Sequence, residues 1–105
     1  MPYIKQEQRN VLDPAIGELQ DRIHLYPTQE RDGILNYIIS TLVSDAIHPG
    51  IEPWRYADIA RAVAVFECAK LEFYRRIAGP KEDVAIADNG DIDSYGKHEN
   101  NSRIV

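Results

Sequence analysis

At 105 residues the chain has room for one compact core and a tail, and its 44% hydrophobic and 28% charged content excludes a wholly disordered, collagen-like or membrane-embedded chain. Acidic residues number 17 against 12 basic, a net charge of −5, so a phosphate backbone is repelled on average and nucleic-acid binding is not expected. No run approaches the roughly 20 apolar residues of a membrane span, Met1 to Asn10 has no signal-peptide core, and the sole cysteine, Cys68, cannot close an internal disulfide; a cytoplasmic, reducing setting is expected.

In chain order, Pro2 to Gln8 reads as a short extended arm whose Tyr3 and Ile4 could pack on a neighbour. Asp13-Pro14 then predicts a helix start, because Asp caps free N–H groups and Pro loses nothing at the first helical position. Ile16, Leu19, Ile23 and Tyr26 recur at helical spacing until Pro27. Thr28 is positioned to cap a second helix, with Gln29 and Glu30 in its first turn and Ile34, Leu35, Ile38, Ile39, Leu42, Ala46 and Ile47 on its apolar face. His48-Pro49-Gly50 stops it. A third helix, the longest and least polar, is expected from about Pro53 to Ala78, with Gly79-Pro80 as its end signal. Pro80 also opens a short fourth helix, with Glu82 and Asp83 in its first turn and Asn89-Gly90 as its cap. From Asp91 onward the chain is Ser, Gly, Asn and charge, a composition expected of a mobile tail.

In the third helix Ile59, Val63, Phe66, Phe73 and Ile77 share one arc, and Arg61, Cys68, Glu72, Arg75 and Arg76 the opposite one. Glu67, Lys70 and Tyr74 interrupt the apolar arc at spacings of three, four and seven. Buried, a carboxylate and an ammonium need each other or a ligand, since desolvating either costs several kcal/mol. Three readings follow: a buried Glu67–Lys70 pair with Tyr74, Asn36 or Tyr37 completing its hydrogen bonds; a polar pocket for a small anionic or polar ligand; or an arc facing solvent. Arg75 and Arg76, with Lys70 and Lys81 nearby, form the basic cluster of the chain. They suit a helix C-terminus, where Glu72 also pairs with Arg76 at i,i+4, or bidentate phosphate contact.

Catalytic signatures are thin. His24, His48, His98 and Cys68 share no metal-ligand spacing, and G-x-S-x-G, Walker and G-x-G-x-x-G patterns do not occur. Trp54 after Pro53 reads as a core anchor at a helix start. The combination of Met1-Pro2-Tyr3-Ile4 with Leu12-Asp13, Gly33-Ile34-Leu35-Asn36-Tyr37-Ile38, Glu67-Cys68-Ala69-Lys70-Leu71-Glu72-Phe73-Tyr74-Arg75-Arg76, and Glu82-Asp83 with Asn89-Gly90-Asp91 resembles an uncharacterised family of small helical proteins from bacteria and phages, over about residues 1–91. Lys81 departs from the aromatic residue expected there. A weaker analogy is to the all-helical nucleotide pyrophosphohydrolases, which hold magnesium with E-x-x-E and E-x-x-D sets. Here Glu67 and Glu72 stand five apart, on different faces.

The expectation is therefore an all-α fold of three main helices plus a short fourth, arranged about a central long third helix, with a helical domain over 1–90 and a tail over 91–105. A homo-oligomer is expected, because the apolar surplus of the third helix needs covering. The expected function is a non-catalytic binding or accessory protein, of phage derivation, that engages a partner or sequesters a small anionic ligand such as a nucleotide. Its site residues would be Glu67, Lys70, Tyr74, Arg75, Arg76, Asn36 and Tyr37, with no metal, no cofactor and no membrane. The rival is a metal-dependent nucleotide hydrolase using Glu67, Glu72 and Glu82 or Asp83.

Overall fold

The computed structural model describes residues 2–96, and every regular element among them is helical. They are α1 (Gln6–Ile23), α2 (Arg31–Ile47), α3 (Tyr56–Phe73) and α4 (Gly79–Asn89), with a 3₁₀ turn (Thr28–Glu30) before α2 and a π turn (Tyr74–Ala78) before α4. The all-α expectation of three long helices and a shorter fourth holds. The chain divides into two compact units, residues 1–69 and 70–105, at a boundary inside α3, where the sequence pattern led us to expect one domain over 1–90.

In the first unit α1 begins at Gln6, well before the expected start at Asp13-Pro14, and Pro14 lies in its interior. The start is set by local polar contacts. The Gln8 side chain accepts the Lys5 N–H at 3.1 Å, Arg9 Nε donates to the Ile4 carbonyl at 3.1 Å, and Glu7 sits in the first turn near the positive end of the dipole. In the helix interior Pro14 removes one ladder hydrogen bond, that to the Asn10 carbonyl. The extended arm shortens to residues 2–5, with Tyr3 50% exposed.

The connection to α2 is made by Arg31, whose Nε donates to the Tyr26 carbonyl at 3.1 Å and whose Nη2 reaches the His24 carbonyl at 3.5 Å. A cation on the last carbonyls of a helix satisfies orphan acceptors and offsets the dipole. Thr28 opens the 3₁₀ turn and does not cap α2 through its side chain; instead the Pro27 carbonyl accepts the Glu30 N–H at 3.0 Å and α2 starts at Arg31. As expected, α2 stops before His48-Pro49-Gly50.

In the second unit Gly79-Pro80 does not break the helical path as expected. Pro80 has no N–H and its ring crowds the carbonyl four residues back. The chain widens into the π turn, in which Gly79 N–H reaches the Tyr74 carbonyl five residues back, and α4 follows with Pro80 in its first positions. Gly90 ends α4 at φ 91° and ψ 154°, a region open to glycine. The first residues of the expected tail form a turn of helix over 93–96, with the Ile92 carbonyl accepting the N–H groups of Tyr95 at 3.0 Å and Gly96 at 3.2 Å. The remainder of that expected tail, 97–105, lies outside the described residues.

No described residue is buried. Leu19 and Ile23 on α1 and Ile34, Ile38, Val43 and Ile47 on α2 are half-buried. The neighbouring α2 row Leu35, Ile39 and Leu42 and the α3 row Ile59, Val63 and Phe66 are exposed, each at i, i+4, i+7 spacing. None of the described helices is long and apolar enough to cross a membrane.

Candidate functional site

Of the residues expected to form a site, Asn36, Tyr37 and Glu67 lie in the first unit and Lys70, Tyr74, Arg75 and Arg76 in the second. Asn36 Oδ1 accepts the Ser40 hydroxyl at 3.2 Å within α2, and Tyr37 is 73% exposed. Glu67 and Lys70 are both exposed, so neither sits in a dry core of this chain.

In the second unit the π turn and α4 bring Tyr74 onto Glu82: the phenol donates to Oε1 of the carboxylate in a short hydrogen bond. On a continuous helix eight residues are about 80° apart, so periodicity alone does not pair them; the widened turn does. Glu82 holds the Tyr74 phenol above its usual pKa, first by the hydrogen bond that only the protonated phenol makes, then by repelling the phenolate, with desolvation adding to both. Arg75 is engaged as well. Its Nε and Nη2 meet Oε2 and Oε1 of Glu72 at 3.2 and 2.5 Å, a bidentate fork. Glu72 thus pairs with Arg75 and not with Arg76 as the i,i+4 spacing implied, because the fork at i,i+3 satisfies both carboxylate oxygens.

Beside Tyr74 lies an open cleft of about 520 Å³, lined by Glu82, Ile86, Asn89, Asp91 and Tyr95 among others. Asp91 Oδ1 accepts the Ile92 N–H at 2.7 Å and so shapes its rim. Two phenols and two carboxylates present acceptors and negative charge, a chemistry suited to a donor-bearing or cationic group.

A second constellation, in the first unit, was not singled out by sequence reasoning. His48 Nε2–H donates to the Glu52 carbonyl at 2.6 Å, its Nδ1 stands 3.6 Å from Asp58 Oδ2, and its ring tilts against Trp54 at a centroid distance of 4.9 Å. The carbonyl only accepts, so Nε2 carries the proton. His48 and Asp58 side chains are 13% and 21% exposed, and the cluster borders a cleft of about 500 Å³ with Ile47, Pro53 and Arg55. The signal available in the sequence was a histidine before Pro-Gly, a tryptophan after Pro and an aspartate in the first turn of the next helix. Trp54, expected as a core anchor, instead meets this histidine in a tilted ring contact and is 42% exposed. Nε2 is tied to the backbone, so the hydrogen bond to the Glu52 carbonyl pins the α2–α3 connection. Among the described residues no three His, Cys, Asp or Glu side chains gather in a way that could hold a metal ion.

The family comparison decides the chain's kinship: a family model described as "Domain of unknown function (DUF6899)" matches residues 1–92. The chain belongs to the DUF6899 family. That match covers both rows of exposed apolar residues, the His48 cluster and the Tyr74–Glu82 pair, so all of them fall within the DUF6899 domain. No curated protein and no solved structure gives a significant match to the chain.

Proposed function

We propose that this DUF6899 domain is a non-catalytic helical interaction protein that engages a protein partner through α2 and α3. The observation that carries the reading is that no described residue is buried while these two helices carry rows of exposed Leu, Ile, Val and Phe. A helix apolar on more than one side requires covering from more than one direction. The partner branch is favoured over capture of a small anion at Lys70, Arg75 and Arg76, because Glu72 already occupies the Arg75 fork and Glu82 the Tyr74 hydroxyl. The same two contacts engage the carboxylates Glu72 and Glu82 that a metal-dependent nucleotide hydrolase would draw on. A phage or bacterial source and a cytoplasmic setting belong to the same proposal, the first supported by the family resemblance and the second by the lone cysteine.

The test is turnover. Nucleoside triphosphates incubated with the purified chain and magnesium should release no phosphate or pyrophosphate above background. Release that disappears in Glu67→Gln would overturn the non-catalytic reading.

A further inference from the structure

We propose that the partner covering α2 and α3 is a second copy of this chain, packed through Leu35, Ile39 and Leu42 of α2 and Ile59, Val63 and Phe66 of α3. The inference rests on the interaction reading above and names its occupant. The six side chains are 42%, 47%, 59%, 44%, 58% and 40% exposed. Together they leave on the order of 500 Å² of apolar surface, the larger part of the roughly 800 Å² each partner contributes to a standard stable interface. An interface that is mostly apolar falls in the obligate class, resembling a domain core cut in two, and an obligate partner must be present whenever the chain is made. A second copy always is.

Charge and spacing agree with that occupant. Each copy carries −5, which opposes self-association in general. Yet Gly33 to Ser44 contains no charged residue, and neither does Ala62 to Phe66 between Arg61 and Glu67, so two copies can meet along these rows without like charges in contact. Both rows repeat at i, i+4, i+7, so under a two-fold axis the ridge of either helix finds a groove of matching pitch on the other copy.

The experiment is light scattering of the wild-type chain over a dilution series, with thermal melts at each concentration. The expected result is a mass twice 12.0 kDa, or a higher multiple, with a melting temperature that rises with concentration. Leu42→Ala and Val63→Ala should each raise the dissociation midpoint at least tenfold, while Val11→Ala on α1, 76% exposed and outside both rows, should leave it unchanged. The alanine variants keep helix propensity, so a loss of mass reports the seam. An oligomer whose midpoint ignores both changes overturns the proposed seam. A 12.0 kDa mass at every concentration overturns the second copy. In that case a monomer that binds a hydrophobic dye and melts without cooperativity leaves the interaction reading standing with a different protein as partner, whereas a cooperative, dye-inert monomer overturns both.

Discussion

Replacing His48 by Ala tests whether the α2–α3 connection is pinned by its imidazole. The ring donates from Nε2 to the Glu52 carbonyl at 2.6 Å, packs on Trp54 at 4.9 Å and is 13% exposed. A protein hydrogen bond contributes about 0.5–1.5 kcal/mol net, and an aromatic pair about 0.5–1.5 kcal/mol beyond its area. Trp54 is 42% exposed, which puts the ring contact at the lower end of that range. Asp58 Oδ2 at 3.6 Å is too far for a hydrogen bond and adds nothing to the sum. The total is about 1–2 kcal/mol, and since each kcal/mol moves the melting temperature of a domain this size by about 4–8 °C, His48→Ala should lower it by roughly 4–16 °C. The assay is a thermal melt by far-ultraviolet circular dichroism at one fixed protein concentration, because any self-association makes the midpoint concentration-dependent. His48→Gln, whose amide keeps an N–H donor near the Nε2 position but no ring, should recover the hydrogen-bond part of the loss. A His48→Ala midpoint within about 2 °C of wild type would refute the pinning argument.

Titrating the six tyrosines by phenolate absorbance should show one group ionising later than the rest, and Tyr74→Phe should remove it. Because the folded value is raised, the stability that Tyr74 contributes is fully present below the unfolded value of about 10 and is lost as pH climbs through the folded one; a Tyr74→Phe chain with the same loss of stability above that pH would contradict the assignment. The same chemical change should have opposite signs at two glycines. Gly90→Ala should destabilise by about 1–3 kcal/mol, because φ 91° with ψ 154° is a region closed to side chains, and Gly17→Ala should stabilise by about 0.5–1 kcal/mol, because Gly17 lies inside α1 with no atom within 4 Å of a new Cβ. Melting shifts of the same sign at both would refute the argument.

The all-helical character, the end of α2 at His48-Pro49-Gly50, the opening of α4 at Pro80 and its cap at Gly90 were legible in the residues themselves, because each depends on neighbours within one or two turns. The misplaced start of α1 shows the limit of that logic: Asp13-Pro14 carries a strong local signal, yet contacts of Gln8 and Arg9 start the helix at Gln6, eight residues before Pro14, and a solvent-exposed helix tolerates the one hydrogen bond proline removes. At Gly79-Pro80 the local rule gave a stop, while the chain had the alternative of a wider turn that keeps the path helical. That choice brought Glu82 to Tyr74 beside an open cleft. The pairing of His48 with Trp54 and Asp58 was likewise decided by the folded connection, since which of several polar and aromatic side chains meet across a loop depends on its path and not on its composition. Periodicity identified the apolar rows of α2 and α3; it took the exposure of each side chain in three dimensions to show that the chain leaves them uncovered, because a hydrophobic pattern states which residues need burial and the tertiary structure states whether the chain itself supplies it.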